Sequence, residues 1–262
     1  KDMLSFNLPD MVYLGCISQA SFDTRVPKSP QPFWIWTKVE LPTLEDLNPK
    51  VVISKLSHEG VSFRVVRDDF LLGGTKQRVM KDFFGNHPEG VVYPGPPTGY
   101  AQIALALGAK LSGSRVKVLI PKVRPPTLQT ILASQLGAEI VEFEGERGAL
   151  KNLKEVASKI AKEEGLYFPK LGFEGDEFKE LMVTALEASL DLDRNKKHNF
   201  WLVGGSGTLA LTLYDLFPKS TFNVVQVGKE IDWYFENKPR AKLFVAKEKF
   251  AEDTKDLPPY PS

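Results

Sequence analysis

Lys76 is the residue of this sequence whose surroundings best suit covalent chemistry. It follows Gly73, Gly74 and Thr75, a short distance downstream of the acidic pair Asp68-Asp69. Two glycines permit a tight turn, and burial in such a turn would lower the pKa of the lysine and make its amine nucleophilic. The same pattern also fits a solvated surface lysine, so both interpretations stay open on this segment alone.

A second candidate site is the glycine-rich segment formed by Gly204, Gly205, Ser206, Gly207 and Thr208. It follows a predicted strand and opens a predicted helix. Glycines let backbone N–H groups converge, the two hydroxyls add donors, and a helix N-terminus favours a phosphate. An ordinary strand-to-helix turn is the alternative. The glycine spacing does not fit the dinucleotide fingerprint, and the segment some twenty residues on, 224–228, offers no acidic residue for a ribose.

The third candidate comprises Thr98, Gly99 and Tyr100, at another predicted strand-to-helix junction. We expect the Thr98 hydroxyl to cap the helix and the N–H groups from Gly99 to Gln102 to receive a carboxylate. A rigid Pro-rich turn followed by a capped helix, with no ligand, is the alternative.

Strand and helix patterns alternate from about residue 62 onwards and must position these three loops. The predicted strands are 61–66, 90–93, 116–120, 139–143, 166–168, 200–203, 222–227 and 242–246. Most lack polar alternation, which is typical of strands covered on both faces. The alternation predicts an α/β fold with mainly parallel sheets flanked by helices, in which ligands bind at the carboxyl ends of strands. Residues 1–50, rich in Pro and aromatic residues, are expected to form an extended arm.

The composition is that of a soluble globular protein, with 42% hydrophobic and 26% charged residues in a chain of 262. The formal net charge of +1 provides no global field that would attract a polyanion. Cys16 is the only cysteine, so an intrachain disulfide is excluded and a reducing, cytoplasmic compartment is expected. No apolar run approaches the roughly 20 residues that span a bilayer, and the three scattered histidines predict no metal site.

The three loops, in this order, resemble those of the fold-type-II pyridoxal-phosphate-dependent enzymes, the superfamily of the tryptophan synthase β subunits. The match is closest to the branch of aminocyclopropane-carboxylate deaminase and D-cysteine desulfhydrase. Its members carry Lys-Arg-Asp-Asp-Leu leading into Gly-Gly-Asn-Lys and then Arg, where this chain has residues 66–70 and 73–78. Residues 41–47 resemble the Pro-x-Pro-Leu segment of that branch, and the whole resemblance covers roughly residues 41–230. The shortness of the chain is typical of compact phage-encoded members.

The resemblance implies a pyridoxal 5'-phosphate cofactor held as a Schiff base on Lys76. It also implies that residues 204–208 hold the cofactor phosphate and that Thr98, Gly99 and Tyr100 bind the substrate carboxylate. The implied reaction is an elimination, deamination, replacement or decarboxylation at the α or β carbon of an amino acid, in a homodimer. Residues 1–83 and 172–262 would form the larger, cofactor-binding lobe, and residues 84–171 the smaller lobe.

The sequence departs from this family at two places. Pro97 stands where the family has an Asn that hydrogen-bonds the ring oxygen of the cofactor, and Asn86 and Gln102 are candidates to replace it. The partner of the pyridine nitrogen is not recognisable either, although the tail offers Glu252 and Thr254. The chain is also shorter than most relatives and is expected to be incomplete at its C-terminal end.

Three other functions stay open. The substrate could be an amino-acid-modified pyrimidine in a nucleotide or in phage DNA, and five basic residues could then receive its phosphates. These are Lys110, Arg115, Lys117, Lys122 and Arg124. Alternatively, the protein binds a phosphorylated ligand without covalent chemistry, or it is a catalytically silent relative that binds the cofactor.

Overall fold

The computed structural model describes residues 41–58, 60–144, 150–169, 173, 175–227 and 230–246. Most of the predicted N-terminal arm therefore lies outside the described residues, as does the tail with Glu252 and Thr254. The strands are β1 (Ile53–His58), β2 (Val61–Val66), β3 (Val91–Pro94), β4 (Val116–Pro121), β5 (Glu139–Phe143), β6 (Asn199–Gly204), β7 (Thr221–Gln226) and β8 (Ala241–Val245). The helices are α1 (Met80–Asn86), α2 (Ala101–Ser112), α3 (Leu128–Gln135), α4 (Leu150–Glu164), α5 (Asp176–Ser189) and α6 (Thr208–Leu216).

The first sheet is parallel, has the strand order β3-β4-β5, and is covered on both faces. Val118 and Ile120 lie on the face that packs with α2 and α3 in the main core. Val92 and Leu119 lie on the other face and pack with Leu153 and other residues of α4. The continuous apolar strands of this half of the chain predicted such double coverage, and here the prediction is confirmed.

The second sheet is also parallel, with the strand order β6-β7-β8, but helices cover it differently. Phe222 and Val224 of its central strand are buried beneath α6, against Leu213 and Ala210. The side chains that alternate with them on β6 and β8 are exposed. Among the described residues only one face of this sheet is covered, because the connections on either side of β7 both pack on that face.

Two further strands form an antiparallel hairpin, in which Ile53 pairs with Val66 and His58 with Val61. The sequence predicted β2 but not β1. Val61 and Phe63 are exposed, so within the described ranges β2 is not covered on both faces either. The predicted strand 166–168 is reduced to one parallel bridge, between Tyr167 and Val91 at the edge of the first sheet.

The hairpin leads the chain into a 3-10 turn, Gly74–Val79, that carries Lys76. This turn packs against both α2 and α5. Gly73 allows the close approach to α2, since a Cβ at this position would lie 2.7 Å from Ala104 Cα. Helix α6, which begins in the glycine-rich segment, packs on the same helix α5. The elements that carry the three predicted loops are thus neighbours in one packed unit.

The carboxylate of Glu177, in the first turn of α5, binds residues near both predicted boundaries between the lobes. It accepts hydrogen bonds from His87 Nε2 at 2.8 Å, Tyr167 OH at 3.0 Å and Asn86 Nδ2 at 3.3 Å. Desolvation favours the protonated acid, but these three donors outweigh it and keep the pKa of Glu177 below its usual value. Desolvation and the bond to Glu177 together raise the pKa of Tyr167 to about 12.

Candidate functional site

Lys76 lies half-buried in its turn, beside Gly74, whose φ of +61° is a conformation that glycine adopts without strain. Burial lowers the pKa of the Lys76 amine. Within the described part of the chain the amine makes neither a hydrogen bond nor an ion pair. Burial disfavours the charged ammonium form of a half-buried amine that has no partner. The neutral form of the Lys76 amine is the nucleophile that the sequence predicted.

The residues that follow Lys76 hold the turn from inside the protein. Gln77 Oε1 accepts a hydrogen bond from the Gly73 N–H at 3.0 Å, and Gln77 Nε2 donates to the Leu47 carbonyl at 3.3 Å. Arg78 forms an ion pair of 2.6 Å with Asp68, and the exposed fractions of the two side chains are only 2% and 13%. The backbone around Lys76 is therefore fixed on both sides.

The guanidinium of Arg78 also reaches the segment that precedes the hairpin. Its Nη1 donates to Asn48 Oδ1 at 3.0 Å and to the Pro49 carbonyl at 2.6 Å. These bonds join Asp68, just after the hairpin, the lysine turn and residues 47–49 into one part-buried polar network. The sequence resemblance assigned no role to Arg78, and the network gives it one: it holds the lysine-bearing turn in place.

The glycine-rich segment forms the turn between β6 and α6, as predicted. Gly207 is the N-cap residue of α6 and has a φ of +79°. Ser206 Oγ and Thr208 Oγ1 lie 3.0 Å apart, so both hydroxyls are on the same side of the turn. The first N–H groups of an α-helix have no intrahelical partner, and together with two hydroxyls they form a site for an anion.

Two neighbouring glycines of this turn face different surroundings and provide a matched pair of variants. A Cβ on Gly204 would lie 2.8 Å from both Ile231 Cδ1 and Val224 Cγ1, whereas a Cβ on Gly205 would meet no atom within 4 Å. We expect Gly204→Ala to reduce the free energy of unfolding by about 1–3 kcal/mol through overpacking. Gly205→Ala should change it by less than about 0.5 kcal/mol. Urea denaturation of the two variants checks both values.

The loop before α2 differs from its predicted form. The N-cap residue of α2 is Tyr100, and no side chain caps the helix, so the prediction that the Thr98 hydroxyl caps it is wrong. The Gly99 N–H donates to the Pro96 carbonyl at 3.0 Å and is not available to a carboxylate. The reason is that residues 96–99 close a turn of their own and delay the start of the helix to Ala101. Tyr100, which is 39% exposed, lies at the surface end of this helix.

Hydrogen bonds to the Pro97 carbonyl hold this loop to the neighbouring helices. The carbonyl accepts hydrogen bonds from Gln102 Nε2 at 2.7 Å, from Thr130 Oγ1 at 3.3 Å and from Thr127 Oγ1. Thr127 is also the N-cap residue of α3, so the loop is tied to two helices at once. In the sequence, Pro97 was notable only because it lacks the side-chain amide of the family's Asn. No sequence pattern indicated the role of its carbonyl.

These contacts also bear on which residue replaces the family's Asn. Asn86 is the last residue of α1, and its amide donates to Glu177. The amide nitrogen of Gln102 is likewise engaged, with the Pro97 carbonyl. Gln102 Oε1, in contrast, is buried and has no hydrogen-bond partner in the described structure. Gln102 can therefore offer an acceptor to a ligand at this loop, and its amide group carries a second N–H beside the one that it donates to Pro97.

The basic residues considered as phosphate receivers are largely neutralised. Arg115 and Lys117 both pair with Glu164, while Lys122 pairs with Glu144 and Arg124 with Glu142. A surface neutralised in this way offers no concentrated positive charge to a polyanion. Among the described residues, no three His, Cys, Asp or Glu side chains come together as metal ligands. No helix in the described ranges is long and apolar enough to cross a bilayer.

The fold is similar to those of several solved enzymes. An ACC deaminase homologue superposes with a TM-score of 0.64 and 18% identity, over 79% of this chain and 74% of that one. The O-acetylserine-dependent cystathionine β-synthase from Helicobacter pylori gives a TM-score of 0.56 at 18% identity, with 79% and 80% covered. An O-ureido-L-serine synthase gives 0.54 at 18% identity, over 70% of this chain.

The chain has the fold of the fold-type-II pyridoxal-phosphate-dependent enzymes. The fold class predicted from the three loops is thereby confirmed. The aligned region corresponds to 62% of the O-ureido-L-serine synthase chain, so less than two thirds of that protein is matched. No protein-family model and no curated protein matches the sequence.

The residues present fit the cofactor that this fold implies. The Gly205 side of the turn has room for a phosphate, since an added Cβ there meets no atom within 4 Å. Lys76 supplies an amine of lowered pKa, and Gln102 Oε1 supplies an unsatisfied acceptor. The described residues do not identify a partner for the pyridine nitrogen.

Proposed function

We propose that the protein is a pyridoxal-phosphate-dependent enzyme that acts at the α or β carbon of an amino acid through a covalent link at Lys76. The observation that carries the proposal is the Lys76 amine, which is half-buried, of lowered pKa and without a partner among the described residues. The fold supports the proposal, because the solved structures that share it include an ACC deaminase homologue, an O-acetylserine-dependent cystathionine β-synthase and an O-ureido-L-serine synthase.

In this proposal the glycine-rich turn holds the cofactor phosphate. The hydroxyls of Ser206 and Thr208 and the N–H groups of the first turn of α6 donate to the phosphate oxygens. The N-terminus of α2, at Tyr100, attracts the substrate carboxylate, while Thr98 and Gly99 shape the loop that precedes it. When bound, pyridoxal phosphate supplies an electron sink for the pair left by a bond broken at the α carbon.

As a free amine, Lys76 would also take part in proton transfer. A neutral amine beside the α carbon accepts a proton from it and returns one later, as a general base and acid. This role needs a pKa below that of an ordinary lysine, because an amine that stays protonated cannot accept a proton near neutral pH. Burial lowers the pKa of Lys76 in this way. The hydrogen bond of Gln77 and the ion pair of Arg78 fix the turn that carries Lys76 and so keep its amine at one position.

The pH dependence of covalent attachment tests this assignment. An ordinary lysine has a pKa of about 10.4 and is less than about 1% neutral at pH 8. Because the pKa of Lys76 is lowered, its neutral fraction rises and levels off at a lower pH than that of other lysines. We expect brief labelling with pyridoxal phosphate, followed by borohydride reduction, to reach a plateau at Lys76 at a pH at which labelling of an ordinary lysine is still increasing.

Lys81 is an internal control, since it lies five residues further on, is exposed, and pairs with Glu45. Pyridoxal without its phosphate is the second control. If the glycine-rich turn holds the phosphate, its removal should lower labelling of Lys76 and leave Lys81 unaffected, and Gly205→Ala should have the same selective effect. Identical pH profiles for the two lysines would contradict the proposal.

The alternatives give different results. A protein that binds a phosphorylated ligand without covalent chemistry predicts binding that survives Lys76→Ala and no adduct after reduction. A silent relative predicts an adduct but no turnover of any amino acid. The modified-pyrimidine substrate predicts turnover of amino-acid-bearing nucleotides alone, and the ion pairs of the basic residues favour the small free amino acid instead.

A further inference from the structure

The second sheet has an apolar face that no described element covers. Trp201 and Val203 of β6 project from it, together with Val225 of β7 and Phe244 of β8; we refer to this surface as the open face. Val203 and Val225 are paired in register, as are Val225 and Phe244, so the three form one row across the sheet. Trp201 stacks on Phe244, with 5.4 Å between ring centroids.

The side chains of the open face are more exposed than is usual for a parallel sheet. The exposed fractions are 63% for Trp201, 71% for Val203 and 41% for Phe244. Parallel sheets in α/β proteins are covered on both faces, as the first sheet of this chain is. A contiguous apolar surface of this kind marks an interaction site.

The cause is visible in the connections of the sheet. Helix α6 connects β6 to β7 and packs on the face that carries Val224. In the described part of the connection from β7 to β8 the one helical element is the short turn Asp232–Tyr234, and the neighbouring Ile231 and Phe235 are buried on that same face. Since both connections lie on one side, coverage of the open face has to come from another part of the chain or from another molecule.

We propose that residues 1–40 of the same chain pack on the open face. This segment contains six aromatic residues and an uninterrupted apolar run at residues 33–36, Phe-Trp-Ile-Trp. Burial of these four large apolar side chains would remove apolar surface from water and stabilise the folded chain. The open face supplies an apolar surface against which that burial can occur.

The place where the segment joins the described chain supports this occupant. Leu41 packs on the main core, to which both sheets contribute, among others with Phe222 on the covered face of the second sheet. The five residues from Trp36 to Leu41 span at most about 18 Å when extended, which is of the order of the thickness of the sheet with its side chains. The tail 247–262 follows β8 directly but suits an apolar surface less, because seven of its sixteen residues are charged.

Site-specific photo-crosslinking in the full chain tests the proposal. Trp201 and Phe244 are each replaced by p-benzoylphenylalanine, a conservative change from one large aromatic side chain to another at an exposed position. After irradiation, the crosslinked peptides are identified by mass spectrometry. We expect both positions to crosslink to peptides from residues 1–40 within a product of monomer size.

Phe63 of the hairpin and Phe70 provide matched controls, since both are exposed aromatic residues, at 44% and 63%. Crosslinking to residues 1–40 should be several-fold more efficient from Trp201 and Phe244 than from either control. A product of dimer size would assign the open face to a second copy of the chain, and peptides from 247–262 would assign it to the tail. Either result, equal efficiency at the controls, or no crosslink at all would overturn the proposal. None of these outcomes depends on the cofactor, so the proposed function is tested separately.

Discussion

Replacement of Lys76 by Ala should abolish covalent attachment of pyridoxal phosphate and remove the absorbance that the attached cofactor gives near the visible edge. Turnover of any amino acid that the wild-type protein converts should fall by about 10³-fold or more, because the variant loses both the nucleophile and the general base. Absorbance spectra and product release, measured on the same preparations, check the two expectations.

Lys81→Ala is the matched control, as it removes an exposed lysine from the adjoining helix. It should leave spectrum and turnover unchanged. A Lys76→Ala protein that keeps the absorbance band, or that turns over substrate at the wild-type rate, would show that another residue performs the chemistry. Retained binding of the cofactor with no band would instead agree with the assignment, because the glycine-rich turn is intact in the variant.

The second large effect is expected at Arg78, whose buried guanidinium fixes the lysine turn. Arg78→Ala leaves Asp68, whose side chain is only 13% exposed, without a counter-charge and removes the hydrogen bonds to Asn48 and Pro49. Breaking a buried pair by removing one partner costs about 3–5 kcal/mol of folding free energy. Urea denaturation should show a loss of that size, and Asp68→Ala added to Arg78→Ala should recover part of it.

Arg67→Ala provides the comparison, since Arg67 pairs with Asp69 at 2.7 Å on the surface. Its effect on stability should be much smaller, because surface pairs are screened by solvent. In conditions where the Arg78→Ala protein is still folded, labelling of Lys76 with pyridoxal phosphate should be slower than in the wild-type protein. Equal stability losses for the two arginine variants would contradict the assigned role of Arg78.

The parts of the fold that sequence could predict are those encoded by neighbouring residues. Strands β3 and β4 of the first sheet are mainly apolar runs, and the limits of all three strands of that sheet were predicted to within a residue or two. The Gly73-Gly74 turn before Lys76 and the Gly207 turn before α6 were recognisable for the same reason. In each, glycine takes a conformation or a close approach that other residues resist. The lowered pKa of Lys76 followed from burial in such a turn.

The parts that escaped prediction depend on residues distant in sequence. Asp68 and Arg78 are ten positions apart, and only their burial distinguishes this pair from the exposed pair of Arg67 and Asp69. The Pro97 carbonyl accepts a hydrogen bond from Thr127, thirty residues further along the chain, and no local sequence pattern predicts this contact. The open face was missed because apolar strands look alike in sequence, whether a helix of the same domain covers them or another segment does.

Covalent attachment at Lys76 is tested most directly by reducing the purified protein with borohydride in the presence of pyridoxal phosphate and mapping the modified peptide. We expect one equivalent of the reduced cofactor on Lys76. A cofactor spread over exposed lysines, or an unmodified Lys76 beside a singly modified residue elsewhere, would contradict it.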